Sequence, residues 1–144
     1  MLGAVNYPET LHQSKFSMGF VLSLIANFGK AGLDEFTEVA LRDPKLQSFH
    51  SRVQMMFDPE IDRASGKYWG GCVEVQTRDG RSLTRRVPAS KGDPQNPIDR
   101  ADLEAKAKHL AAYANAATAE EMDRIISRIW ALKDTLTLRE YFLL

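Results

Sequence analysis

The sequence predicts an α+β fold: a small antiparallel sheet of about three strands with one hairpin, packed with helices in two layers. Three observations carry this. Apolar residues recur at helical spacing near both ends of the chain, they alternate in the middle, and a turn signal at Asp79-Gly80 separates two alternating runs.

Taken in order, residues 1–14 carry Gly3, Asn6 and Pro8 without a sustained period and read as an N-terminal arm, with a short extended piece around Ala4 to Tyr7. From Lys15 to Phe28 the apolar residues lie almost all round a helical wheel, the pattern of a helix buried on most sides. Gly29 is placed to end it in a left-handed cap. A short helical stretch follows over Asp34 to Leu41. Asp43-Pro44 then supplies an N-cap and a proline at the first position of a third helix, with Leu46, Phe49 and Val53 as its stripe.

Val53, Met55 and Phe57 alternate with Gln54 and Met56 and predict a strand that Asp58-Pro59 stops. Glu60 to Trp69 reads as a loop. Gly71 to Thr77 and Ser82 to Val87 form a hairpin whose register follows from its faces. A two-residue loop sets Val75 opposite Thr84, mixing apolar with polar. A three-residue loop, Arg78-Asp79-Gly80 with Gly80 left-handed, sets Val75 opposite Leu83 and puts Val73 and Val87 on one face. The second is preferred. Asp99 is placed to cap a helix with the stripe Leu103, Ala107, Leu110, Ala111 and Ala114. A box of Thr118 and Glu121 opens a last helix with Met122, Ile125, Ile126, Ile129 and Trp130 on one side, and Leu136, Leu138 and Phe142 extend the apolar surface.

Composition narrows the function classes. With 144 residues, 44% apolar and 26% charged, this is ordinary globular composition for one domain. Nineteen basic residues against nineteen acidic ones give no field of one sign, which argues against nucleic acid as a partner. The single cysteine, Cys72, excludes a disulfide within the chain, a four-thiolate zinc site and an iron–sulfur cluster held by this chain alone. The apolar run Met18 to Phe28 is shorter than the ~20 residues a bilayer needs and has no charged leader before it. No membrane association and a cytoplasmic location are the expectations.

No glycine-rich phosphate loop, nucleophile elbow or metal-binding helix signature is present. His50 and His109 read as packed or surface histidines, since neither has a partner in sequence that would make it a base; His12, close to Lys15 and Ser17, is harder to dismiss. Cys72 reads as a structural thiol, and the arginines of the hairpin as cations on an exposed sheet face. Two segments stand above this background. In Gln13-Ser14-Lys15-Phe16-Ser17, free backbone N–H groups, a lysine and two hydroxyls meet at a helix start and suit a carboxylate, while Ser14 as a plain N-cap explains the same residues equally well. In Lys91-Gly92-Asp93-Pro94-Gln95-Asn96-Pro97, two prolines and a glycine impose a loop shape beyond what a connection requires.

These segments, together with Gly32-Leu33 before Phe36-Thr37, Asp43-Pro44, Val53 to Glu60, Val73-Glu74-Val75 before Asp79-Gly80, Leu103-Glu104-Ala105-Lys106 and Trp130-Ala131-Leu132, resemble the C-terminal domain of the MmgE/PrpD family. That family includes 2-methylcitrate dehydratase, cis-aconitate decarboxylase and iminodisuccinate epimerase. The likeness runs over roughly residues 13 to 144. It implies a lid domain, residues 15–144, that closes over small di- or tricarboxylates in a cofactor-free lyase or epimerase of propionate metabolism. The acid/base residues would belong to a helical domain outside this chain. By the same resemblance Lys15 and Ser17 face the substrate, and Gly92 and Asp93 shape the loop. Family members also carry a strand ahead of the Lys-Phe-Ser helix, where this sequence has the arm; either Ala4 to Tyr7 or a partner is expected to stand in for that strand.

Function follows as two expectations. The first is a dehydratase-like lid that is catalytically incomplete without the helical domain, supplied by a partner subunit or by a longer chain of which this is a truncated part. The second is a non-catalytic module that self-associates as a homodimer or binds a partner through an open sheet edge.

Overall fold

The computed structural model describes residues 6–64, 67 and 69–132. It divides into two compact units, residues 1–58 and residues 59–144.

The first unit is helical. Helix α1 (Leu11–Ser14) is a single turn capped by the Thr10 hydroxyl, which accepts from the Gln13 N–H. Helix α2 (Met18–Phe28) starts at Ser17, whose hydroxyl accepts from the Phe20 N–H, and ends at Gly29 with φ of 77°. Its left-handed cap was expected from the sequence. The start was not: the periodicity from Lys15 onward spans a break between two helices, and Ser14 ends the first of them instead of capping the second.

Helix α3 (Glu38–Leu41) is capped by Thr37, and helix α4 (Pro44–His50) by Asp43 with Pro44 at its first turn. Thus the stretch over Asp34 to Leu41 is a turn followed by one helical turn. Val53 lies past the end of α4. The core is Phe20 and Leu24 from α2, Ala40 and Leu41 from α3 and Leu46 from α4, with Ala31 and Phe36 packed against it. Burying each of the large side chains stabilises the unit by roughly 1.5–3 kcal/mol.

The second unit opens with helix α5 (Pro59–Ala64), where the sequence reading had a loop. Strand β1 (Gly71–Gln76) pairs antiparallel with β2 (Ser82–Val87), Val75 opposite Leu83 and Gly71 opposite Val87. This is the register of the three-residue loop. Gly80 takes φ of 85°, Thr77 and Arg81 close the turn with a 2.9 Å bond from the Thr77 N–H, and the Thr77 hydroxyl donates to Asp79.

The expectation of about three strands fails. Among the described residues the sheet has two strands, and the segment around Val53 to Phe57 is irregular, with Met55, Met56 and Phe57 exposed at 59%, 82% and 72%. Alternation supplies the two faces of a strand but not the neighbour whose backbone groups would satisfy its own. The two-layer packing fails as well, since every residue of β1 and β2 is exposed. The hairpin is open, with Val73, Val75, Leu83 and Val87 on one face.

Helix α6 (Arg100–Tyr113) is capped by Asp99, and α7 (Ala119–Ala131) by a reciprocal box of Thr118 and Glu121. Between them the chain turns through Asn115, φ of 51°. The Ala116 N–H donates to the Ala111 carbonyl at 2.9 Å and the Asn115 N–H to that of Ala112, a Schellman closure that satisfies the helix end. Lys108 and Asp123 join the two helices at 2.5 Å. Of the stripes read from sequence for α6 and α7, Ile126 alone is buried; Leu103, Leu110, Ile125 and Ile129 remain about half exposed. Leu136, Leu138 and Phe142, like Ala4 in the arm, lie outside the described residues.

Candidate functional site

The head of α2 follows from two short-range decisions. Thr10 starts a helix that stops after one turn, and Ser17 starts the next, so Lys15 and Phe16 sit on the corner between them. The Ser14 hydroxyl donates to the Leu11 carbonyl at 2.8 Å. Ser14 and Ser17 are both 0% exposed, whereas Lys15 is exposed and forms no ion pair among the described residues. His12 lies on α1 with its ring 5.2 Å from that of Phe16.

The five residues singled out from sequence therefore divide. Lys15 offers a solvated cation at the head of an apolar helix. Ser17 is committed to the backbone it caps and is reached through that backbone, and Ser14 is internal to α1. Among the first-turn donors of α2, the Phe20 N–H is taken by the Ser17 hydroxyl and the Val21 N–H by the Ser17 carbonyl at 2.9 Å. Those of Met18 and Gly19 precede them at the end of the helix dipole that favours anions.

The proline-rich loop lies in the second unit. Gly92 has φ of 101°, a backbone shape that a β-carbon disfavours, and its N–H donates to the Asn96 carbonyl at 2.8 Å. The Asp93 carboxylate accepts from the Gln95 N–H at 3.0 Å, and Asn96 donates through its side chain to the Ala89 carbonyl at 3.0 Å. Asp93 is thus turned inward on its own loop. Lys91 pairs with Asp102 at the start of α6, which raises the Lys91 ammonium above its usual range and holds the Asp102 carboxyl below its own. The loop is tied down, and its lysine is occupied.

The hairpin arginines also separate. Arg86 pairs with Glu60 of α5 at 3.5 Å, and Arg81 with Asp79 at 2.8 Å. Arg85 stands opposite Val73 on the apolar face. Cys72 is exposed on the polar one. Among the described residues no three His, Cys, Asp or Glu side chains converge in a way that could hold a metal ion, and no helix is long and apolar enough to cross a membrane.

One residue gains weight only in three dimensions. His50 is buried at the end of α4 and packs on Gly19 of α2, where an added Cβ would lie 2.1 Å from its Cδ2 atom. The signal available in sequence was Gly19 itself, since a glycine inside an apolar helix costs about 1 kcal/mol against alanine and marks a close approach.

Among the described residues, helices precede and follow an open β-hairpin, the order of an α+β protein, and Lys15 stands exposed without an ion pair ahead of the apolar helix α2. The family model of the MmgE/PrpD C-terminal domain matches residues 1–132, and the chain belongs to that family. None of the curated proteins compared with the chain matches it.

Proposed function

We propose that this chain acts as the lid domain of an MmgE/PrpD lyase on small di- or tricarboxylates, with turnover requiring the family's helical domain. Lys15 carries the reading. It is an exposed cation without an ion pair among the described residues, just ahead in the chain of the N–H groups of Met18 and Gly19, and a carboxylate is the anion that lysine and helix N-terminus recognise together. Ser17 serves by fixing where α2 begins and so where those donors point. In this role Gly92 and Asp93 hold the shape of the 91–97 loop. The acid/base groups that remove a proton next to a carboxylate and expel a β-substituent belong to the helical domain.

The test is an assay of 2-methylcitrate dehydration by the chain alone and after mixing with a helical domain of the family. The chain alone gives no turnover; the mixture does, and Lys15→Ala raises KM by roughly tenfold, as expected for one lost charge-assisted contact of about 1.5 kcal/mol. Turnover by the isolated chain above that of Lys15→Ala and Ser17→Ala controls sinks the reading.

A second reading, a self-associating module without catalysis, is favoured by the open hairpin with Val73, Val75, Leu83 and Val87 on one exposed face. Light scattering separates the two. A monomer whose β1 and β2 amides exchange no faster than their internal bonds allow argues against pairing through the edge.

A further inference from the structure

Four polar side chains are buried in the first unit: Ser14, Ser17, Ser23 and His50. Each serine hydroxyl is hydrogen-bonded within its own helix or cap. The imidazole of His50 has no hydrogen-bond or ion-pair partner among the described residues. It is held by shape. At Gly19 an added Cβ would fall 2.1 Å from Cδ2 and 2.5 Å from Nε2, so the ring occupies the notch that the missing side chain leaves in α2. Tyr7 of the arm stacks on the same ring, centroids 5.8 Å apart and planes inclined by 30°.

Among the described residues no charged group pairs with the His50 ring. Helix α2 carries no ionisable residue at all. On α4 the other ionisable residue is Lys45, and Arg52 just beyond lies over the Phe49 ring. The Glu38 of α3 is engaged by Arg42 at 3.2 Å, His12 of α1 lies against Phe16, and the one titratable ring touching His50 is the phenol of Tyr7. A position at the end of α4 favours a cation, but that helix has only seven residues, and burial prevails, holding the imidazole below its ordinary range.

We propose that His50 is a proton-operated latch on the head of α2: as neutral imidazole it seats in the Gly19 notch and holds Tyr7 and the first turn of α2, and on taking a proton from solvent it leaves the notch and releases both. An imidazolium needs full hydration or a carboxylate; among the described residues no carboxylate pairs with the ring, and only 9% of His50 is exposed to solvent. The unfolded chain binds the proton more readily than the folded one. The latch therefore stabilises the first unit above the ordinary histidine pKa of 6.5, and this contribution is lost as the pH falls through the lower folded value. Gly19 belongs to the first turn of α2, the helix that Lys15 precedes, so the latch sets when that helix head is ordered.

The experiment uses the whole chain. Histidine Cε1–H and tyrosine ring resonances are followed from about pH 8 to about pH 5, with Tyr7→Phe to assign the Tyr7 signals, and thermal unfolding is recorded over the same range for wild type and His50→Gln. The expected result is a His50 titration below the ordinary histidine value of 6.5, Tyr7 signals that move in step with it, and a fall in Tm with acid that is shallower in His50→Gln. Gly19→Ala lowers the Tm at neutral pH, and Gly19→Ala with His50→Ala recovers part of the loss, because the clash is with that ring. A His50 titration at or above the ordinary value, Tyr7 signals that ignore it, or an unchanged acid slope in His50→Gln overturns the proposal. The wild-type titration decides the matter by itself should a variant fail to fold.

Discussion

Between Asn6 and Asp58, five apolar side chains at 8% exposure or less gather among three helices, whereas between Pro59 and Leu132 only Ala89 and Ile126 are as deeply buried among the described residues. Regular structure is no poorer in the second region. Its two longest helices are capped at both ends, and its hairpin keeps a full antiparallel register. Burial holds the first region together, and short-range hydrogen bonding specifies the second. Caps and turns define which conformation a segment takes at about 1 kcal/mol each, while only burial adds enough to resist its loss of entropy.

The sharpest way to break this comparison is a cavity in the first region. Leu46→Ala should destabilise it by about 2–5 kcal/mol, seen as faster amide exchange through α2 and α4. Val75→Ala, at a position 47% exposed in the hairpin, should cost less than about 1 kcal/mol. Equal losses at the two sites would remove the distinction.

Next in size is the turn of the hairpin. Gly80→Ala places a β-carbon at φ of 85° and should weaken the β1–β2 pairing by about 1–2 kcal/mol, measured by exchange of the Thr77 amide. Thr118→Ala removes the cap of α7 and should lower helicity by an amount equivalent to about 1 kcal/mol.

A smaller effect is the pH dependence of that cap. The backbone N–H of Thr118 holds the Glu121 carboxyl below its ordinary value of 4.5, so the box stabilises α7 above that pH and fades as the pH falls through the lower folded value. Helicity measured by circular dichroism against pH should show the loss in wild type and not in Glu121→Gln. Smallest of all is the bridge between Lys108 and Asp123, both largely solvated. Lys108→Ala should leave the thermal transition within experimental error.

How much was legible in the sequence follows the same division. Asp99, Thr118 with Glu121, Asp43-Pro44, Gly29 and the Arg78-Asp79-Gly80 loop act over a few residues, and each was placed correctly because its physics is contained in its own neighbourhood. The Lys15 to Phe28 pattern misled for the converse reason: apolar periodicity continues across a corner that only the Thr10 and Ser17 hydroxyls mark. Lys91-Gly92-Asp93 stood out as a special loop, yet that its lysine is occupied by Asp102 depends on a residue on the following helix.

By itself the sequence determined the α+β class, the register of the hairpin, the starts of α4, α6 and α7, the end of α2 and a resemblance that the family match bears out, since all of these rest on contacts close along the chain or on the order of its motifs. Tertiary structure decided the rest. It withheld a strand from Val53 to Phe57, because a strand needs a neighbour's backbone. It buried Ser17 and left Lys15 in water, because a cap faces the helix it starts. And it seated His50 in the space left by Gly19, because residues on two helices meet only when those helices pack.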